Sequence, residues 1–583
     1  MSVSDPDLRA VQQVRDLIRA ALAAQQRWAT FSQGQVDAVI DAMAAAATQA
    51  AEPLARMAVE ETGFGNVPDK IKKNKFSSQD VYRAIRPMQT VGILHEDREK
   101  GVIEVAEPVG VVAAIIPSTN PTSTAIYKIL ISLKARNGVV LSPHPSAKKC
   151  ICATADVLQK AALKAGAPEG LIGCLTQVTT QSTQELMRHR DVGVILATGG
   201  TGLVRAAYSS GKPAYGVGPG NVPAYIERTA NVRKAVGDVI TGTSFDNGTL
   251  CSSEQAILAE ESIREAVLQE LREQGVYFLN AQEMDAVGQM VFRSDTFRVN
   301  PKVVGRAAPV IAEMAGFKVP PQTRVLLAEP AGVGRAYPLS AEKLSPILAF
   351  YTVRNWQHGV ELANQLLVFG GLGHTAAIHS TNDAVIREFG QRVRASRVVV
   401  NSPASHGSIG LSTGLFPAMT LGCGAMGGNI TSDNIGPQHL FNIKRIAYET
   451  RPVESATVQR AVLVPQTVPA APASAPASAK APDRGTIARV VERFLAQKGV
   501  SLPSAPATPV AQEAKNEPVS PPPSPVADFV SESDVLAAMQ RSEKIYISPQ
   551  TILTPSARDL GFAQGVFVET AANPATGAVA RSG

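Results

Sequence analysis

Four short apolar runs, each closed by a turn residue, constrain the fold of this chain more than any other feature. GVVAAIIP (110–117), GVVLSP (138–143), VGVILATGG (192–200) and SRVVVNSP (396–403) read as continuous stretches and not as alternating ones. A strand built from such a run must be covered on both faces. AKKCICATADVLQKAALKAG (147–166), between the second and third, has helical spacing, as does the alanine-rich stretch 8–60. Doubly covered strands alternating with helices predict an α/β fold with a parallel sheet.

The 583 residues exceed one ordinary domain. Composition changes near residue 456, where PQTVPAAPASAPASAKAP (465–482) begins a stretch too poor in large apolar residues to fold. The expected order is a globular body, a Pro/Ala linker (456–483), a short island (484–500), a second Pro-rich linker (501–527) and a small C-terminal element (528–583). In the island, Ile487, Val490, Val491, Phe494 and Leu495 fall on one helical face. So short a helix needs a partner surface, whether its own body, another protein or a membrane. The face has no Trp and its basic charge is modest, which disfavours the membrane. The tail contains a helix-like start followed by KIYIS and GVFVE, two strand-like runs.

A net charge of +6 is mild for this length, and no basic block interleaved with aromatics suggests nucleic acid. Five scattered cysteines argue against a disulfide framework and for a reducing compartment. No CxxC or HxxxH cluster offers a metal site. The N-terminus, with Asp5, Asp7 and Arg9, does not read as a secretory signal. No run approaches the roughly 18 apolar residues of a membrane span. The expected location is cytoplasmic.

The segment most suggestive of chemistry is FDNGTLCSSEQ (245–255). Cys251 stands among polar and glycine residues, the access a reactive thiol needs; a small buried hydrophobe is the alternative. Cys150, Cys152, Cys174 and Cys423 lie in apolar or helical patterns or glycine loops and read as structural. GGTG (199–202) falls at a strand-to-helix turn, where backbone N–H groups can approach a pyrophosphate or simply make the turn. His374 lies between glycine and threonine in GLGHTA and could serve as a base or cap a turn; His406 in SPASHGSIG is weaker. The glycine-rich stretch 410–429 reads as shaping the substrate side or as tight backbone packing.

FDNGTLCSSEQ resembles the active-site segment of CoA-acylating aldehyde dehydrogenases, including the N-terminal half of bifunctional aldehyde–alcohol dehydrogenases. So do AVEETGFGNVPDKIKKN (58–74), EPVGVVAAIIPSTNPTSTAIYK (107–128), ATGGTGLVRAAYSSGKPAYGVGPGNVPAYI (197–226), EKLSPILAFY (342–351) and GLGHTAAIH (371–379), which follow the family's order. Too few residues remain after the body for the iron-dependent alcohol dehydrogenase half.

The resemblance implies a Rossmann-type NAD-binding domain (1–242, joined again by 436–455) and an α/β catalytic domain (243–435). It makes Cys251 the nucleophile and Asn120 the oxyanion donor, acting with the backbone N–H of Cys251; without it Asn120 would read as a turn residue before Pro121. His374 becomes a candidate base for the CoA thiol. Ser142, His144, Gly199, Gly200, Thr201, Gly202, Gly220 and Glu342 fall to the cofactor, NAD, with NADP left open. Hydrolytic relatives carry a glutamate where VGPGNVP (217–223) has Val217, which cannot activate water. The expected reaction is therefore a short-chain aldehyde, NAD⁺ and CoA giving acyl-CoA and NADH. A hydrolytic dehydrogenase and a catalytically silent, shell-binding scaffold are the competing readings. The island 484–500 resembles the encapsulation peptides that carry enzymes into bacterial microcompartments, binding shell or core proteins. The tail 531–569 resembles short tails of other microcompartment-associated proteins. A homo-oligomer is the family expectation.

Overall fold

The first three apolar runs become inner strands of one parallel sheet, and the fourth becomes the edge strand of a second, only partly buried and not covered on both faces as expected. The computed structural model describes residues 5–293, 296–451, 526–549 and 551–569, and the chain divides into units Met1–Val458 and Gln459–Gly583. In the first unit, β1 (Gly92–Asp97) and β2 (Val102–Pro108) pair antiparallel, and β2 also pairs antiparallel with β15 (Phe441–Ala447). A five-stranded parallel sheet follows, from β3 (Val111–Ile116), β4 (Gly138–Pro143), β5 (Ile172–Cys174), β6 (Val192–Thr198) and β7 (Ala214–Val217). Its order is β5-β4-β3-β6-β7. Every residue of β3 and β4 is buried.

The larger parallel sheet comprises β8 (Val222–Ile226), β9 (Glu254–Glu260), β10 (Val276–Phe278), β11 (Val325–Ala328), β12 (Ile347–Val353), β13 (Gly373–His379) and β14 (Ala395–Val400). Its order is β10-β11-β12-β9-β8-β13-β14. The change from one sheet to the next thus falls between Val217 and Val222, ahead of the boundary at 242 expected from the sequence. Residues 441–447 complete the antiparallel sheet, while Leu440 just before them packs in the core of the five-stranded sheet and its carbonyl accepts from Asn137. The likeness of β7 and β8 as short apolar strands, parted by one glycine-proline turn, hides this boundary in the sequence.

Alanine-rich 8–60 forms three helices, Pro6–Trp28, Gln33–Gln49 and Ala51–Thr62. Helix Pro121–Lys134 has all its residues buried. Within it Lys128 Nζ donates to the carbonyls of Ile115 and Leu196 at 2.8 Å each, tying the ends of β3 and β6. Burial pushes the Lys128 amine well down. These two strands flank the switch point of the five-stranded sheet, where order reverses and a crevice opens outside the carboxyl ends.

In the second unit, β16 (Phe529–Val530), β17 (Ile545–Ile547), β18 (Ile552–Leu553) and β19 (Phe567–Glu569) form two parallel pairs, β16 with β18 and β17 with β19. Helices Glu532–Arg541 and Pro555–Ala563 accompany them. Val530, Val535, Ile547 and Val566 make the core, and both strand-like runs of the tail are strands. The island 484–500 and nearly all of both linkers lie outside the described residues. Among those described, no helix is long and apolar enough to cross a membrane, and no cluster of His, Cys, Asp or Glu could hold a metal ion.

Candidate active site

The cysteine loop is built on a left-handed turn. Asp246, Asn247 and Gly248 have φ of 48°, 53° and 74°, a region Asp, Asn and Gly enter at the least steric cost. The fully buried Asp246 carboxylate fixes this turn. It accepts from Lys70 Nζ (3.0 Å), Thr249 Oγ1 (2.6 Å), the Asn66 N–H (2.9 Å) and Lys73 Nζ. Burial alone would raise this carboxyl, but the charges of Lys73 and Lys70 override it and hold it below the usual range. Gly65 (φ +73°) packs against the same group, and a Cβ there would lie 1.9 Å from Asp246 Oδ1.

Cys251 follows this turn and precedes β9. It is partly exposed, and its Sγ lies 3.2 Å from His374 Nε2, at the start of β13. His374 Nδ1 lies 3.0 Å from Thr375 Oγ1. Enclosure by protein, then the nearby Glu342 and Cys423, push the thiol up to about 12, against the opposing charge of Arg397. Burial and then Arg397 lower the His374 imidazole to about 3. At neutral pH the resting pair is therefore neutral thiol and neutral imidazole. In the tautomer with Nε2 accepting from the thiol, the ring proton sits on Nδ1, towards Thr375 Oγ1. Arg397, in β14, donates to the His374 carbonyl at 3.0 Å and the Gly422 carbonyl at 2.5 Å, bracing the strand that carries His374.

Asn120 caps helix Pro121–Lys134 just beyond β3. Its NH₂ donates to the Thr249 carbonyl and to Thr119 Oγ1 at 3.2 Å each, and its Oδ1 accepts from Lys73 Nζ at 2.6 Å. On the opposite side, Glu342 Oε1 accepts from the Gly220 N–H at 2.8 Å. Burial raises that carboxyl to about 8. The neighbouring Lys343 Nζ donates to three carbonyls, of Gln255, Leu339 and Ala341, which pins the loop bearing Glu342. At Gly220 a Cβ would sit 2.3 Å from the Cys251 carbonyl oxygen and 2.9 Å from His374 Cγ. Only glycine lets the three segments meet.

The structure thus gathers Cys251, His374, Asn120, Gly220 and Glu342 around one cleft. Asn120 comes from the carboxyl end of β3 in the five-stranded sheet; Gly220, Cys251, Glu342 and His374 come from the amino ends of β8, β9, β12 and β13 in the larger one. Gly199, Gly200, Thr201 and Gly202 lie beyond β6, with Gly200 capping helix Thr201–Tyr208. A Cβ on Gly200 or Gly202 would meet no atom within 4 Å, so this turn is open. Ser142 and His144 stand at the end of β4, apart from the contacts around Cys251. Ser142 Oγ pairs with Thr183 Oγ1 (3.0 Å), and His144 Nδ1 accepts from the Ser146 N–H (3.2 Å). No described contact joins them to the Cys251 cluster, and both lie at the carboxyl end of β4, beside the end of β3. Val217 is buried at the end of β7.

Sequence reasoning missed Lys73, Asp246, Arg397 and Cys423 as neighbours of the site. Arg397 carried a signal, a lone charge inside an apolar strand run. The lysines of DKIKKN did not, because a solvated helix face and a buried ion pair have the same spacing.

The chain is similar to known proteins over most of its first unit. The sequence model of the aldehyde dehydrogenase family matches residues 4–289. The bifunctional aldehyde-alcohol dehydrogenase of Escherichia coli K12 is 44% identical over 442 residues, 75% of this chain and 49% of that one. This chain thus spans about half the length of that relative. The acetylating succinate-semialdehyde dehydrogenase of Clostridium kluyveri is 38% identical over 438 residues, covering 75% of this chain and 95% of its own. Among solved structures, an acetylating aldehyde dehydrogenase from Geobacillus thermoglucosidasius is 53% identical with a TM-score of 0.76, covering 78% of this chain and 100% of that one. A propionaldehyde dehydrogenase from the fucose utilisation microcompartment of Clostridium phytofermentans is 30% identical, with a TM-score of 0.68 and coverage of 75% and 97%. The Rhodopseudomonas palustris propionaldehyde dehydrogenase, solved with bound CoA and an acylated cysteine, is 27% identical, with a TM-score of 0.67 and coverage of 75% and 97%. With relatives matched over nearly their whole length at these identities, the chain belongs to the aldehyde dehydrogenase family.

Proposed function

We propose that this protein oxidises a short-chain aldehyde to an acyl-CoA, with NAD as hydride acceptor and CoA as acyl acceptor, through a thioester on Cys251. The carrying observation is the Cys251 Sγ to His374 Nε2 contact at 3.2 Å, with the Asn120 amide held against the same loop. Cys251 Sγ attacks the carbonyl carbon while its proton passes to His374 Nε2, and the electron pair moves to the carbonyl oxygen. Asn120 NH₂ and the Cys251 backbone N–H hold that oxyanion; donors of this kind contribute about 10²–10³ in rate.

The open turn at Gly200 and Gly202, at the switch point, fits a dinucleotide pyrophosphate against the first N–H groups of helix Thr201–Tyr208. Glu342, on the thiol's side of the cleft, suits the nicotinamide-side ribose. When bound, the nicotinamide supplies the hydride acceptor. The acyl group then remains on Cys251 Sγ as its carbonyl re-forms, and His374 returns its proton to solvent. In the second half, the CoA sulfur attacks the thioester as its proton passes to His374, and Cys251 leaves and is reprotonated by the same nitrogen.

Water instead of CoA would need a base. Val217, where hydrolytic relatives carry a glutamate, has none to offer, and a thiol is a stronger nucleophile than water for the proton that His374 can take. NADH formation from C2–C4 aldehydes, with and without CoA, tests the reading. Sustained turnover should require CoA; steady release of free acid without it would favour hydrolysis.

The likeness to a microcompartment enzyme and the apolar face of 484–500 support a place among microcompartment cargo. A fluorescent protein fused to 465–503 should then co-purify with shell or core proteins of the host. Exposed Ile443, Ile446 and Tyr448 along and just beyond β15 support a homo-oligomer, to be read from the solution mass.

A further inference from the structure

We infer that Lys73 is a positioning residue for the oxyanion site, fixing the Asn120 side chain so that its NH₂ faces the cysteine loop. This rests on the reading of Asn120 as an oxyanion donor. Lys73 lies on helix Val67–Lys75 and is 2% exposed. Its ammonium has three donors, and all three are placed: Asn120 Oδ1 at 2.6 Å, Thr249 Oγ1 at 3.3 Å, and the Asp246 carboxylate.

The two ends of an asparagine amide have nearly the same shape, so only their partners decide which way it points. Here one end meets an ammonium and the other meets the Thr249 carbonyl. A flipped amide would set NH₂ against NH₃⁺ and oxygen against oxygen, losing both bonds and leaving buried polar groups unpaired. The ammonium also draws density from the amide oxygen and so strengthens its N–H groups as donors. Those N–H groups now make two bonds of 3.2 Å, long for this type, so one is readily released to a developing oxyanion.

Lys70 supplies the internal comparison. It is equally buried and shares the Asp246 carboxylate, but its other bond goes to the Thr119 carbonyl, at 3.1 Å. Asp246 therefore holds two ammonium groups, of which Lys73 alone touches the amide side chain.

The test uses the full chain with Lys73→Met, Lys73→Arg, Lys70→Met, Asn120→Ala and the Lys73→Met/Asn120→Ala pair. The readouts are the first-turnover NADH burst without CoA, the KM for aldehyde, the affinity for NAD and the melting temperature. Lys73→Met should slow the burst by about tenfold to a hundredfold, part of the effect of losing an oxyanion donor, while KM and NAD affinity stay within about threefold. Added to Asn120→Ala it should cost little more, as expected for residues acting through one another. Lys73→Arg, which keeps the charge, should recover part of the loss, and Lys70→Met should slow the burst less than Lys73→Met. If Lys73→Met does not fold, Lys73→Gln, which keeps a buried hydrogen-bond donor but no charge, alone and paired with Asn120→Ala carries the same comparison.

A burst unchanged in the lysine variant, or an equal loss in both asparagine backgrounds, overturns the inference while leaving Asn120 in place. An unchanged burst in Asn120→Ala instead removes the oxyanion reading and this inference with it.

Discussion

The turn that carries the cysteine and the turn assigned to the cofactor are both short, glycine-bearing and set at the ends of inner strands, yet they are built in opposite ways. Around 245–251 the protein supplies its own complement: two buried lysines, a buried carboxylate and close glycines fill the space, and a Cβ at Gly65 or Gly220 would collide. Around 199–202 the space beside Gly200 and Gly202 is empty of protein. A group that must hold its geometry without substrate is fixed by the chain. A group that meets a ligand leaves the last contacts to that ligand.

Four experiments press on this contrast, beginning with the largest effect. Cys251→Ala should abolish NADH formation from aldehyde, whereas Cys150→Ala, Cys152→Ala and Cys174→Ala should keep most of it; appreciable steady-state activity in the first would end the nucleophile assignment. Next, Gly65→Ala and Gly220→Ala should each destabilise the protein by roughly 1–3 kcal/mol or more and strongly depress turnover. Gly202→Ala should melt as the parent does and mainly raise the KM for NAD by a few-fold. Equal melting temperatures in all three would erase the distinction between a filled turn and an open one.

The third concerns ionisation. With the thiol held near 12 and the imidazole near 3, the free enzyme has little thiolate. Iodoacetamide labelling of Cys251 should therefore accelerate about tenfold per pH unit from pH 6 to 9. A plateau below pH 8 would reveal a thiolate–imidazolium pair. The smallest effect falls on Glu254, three residues beyond the cysteine. Burial raises its carboxyl to about 8, and its Oε1 accepts from the Ala404 N–H at 2.6 Å. A raised folded pKa means that the folded state keeps a proton the unfolded chain releases above its own value near 4.5. Stability from this group is thus complete below pH 4.5 and declines as pH rises through about 8. Glu254→Gln should melt a few degrees higher than the parent at pH 9 and show no such gain at pH 4.

Much of this was legible in the sequence because it rests on short-range rules. The runs at 110–117, 138–143 and 192–200 name their strands, since a strand buried on both faces has no alternation to obscure it; the run at 396–403 also names a strand, but one at a sheet edge and only partly buried. FDNGTLC displays its cysteine openly because a left-handed turn admits few residue types. What stayed hidden depends on three-dimensional neighbours. Val222–Ile226 looks like one more strand of the first sheet, and only the chain path assigns it to the second. The partners of Ser142 and His144, Thr183 and Ser146, likewise do not follow from their place at a strand end. The partnership of Lys73 with Asn120 spans 47 residues, beyond any local pattern.

The left-handed run at 246–248 also bears on how the enzyme's aldehyde range could be re-engineered. Each ordinary side chain there would cost roughly 1–2 kcal/mol in backbone terms alone, and at Gly248 a Cβ would lie 2.9–3.0 Å from the Ser345 main chain. A library that randomises 245–251 as a block would consist mostly of protein in which the turn ahead of Cys251 is strained. Screening effort is better directed to positions outside the turn, with Asp246, Asn247 and Gly248 kept constant in every member.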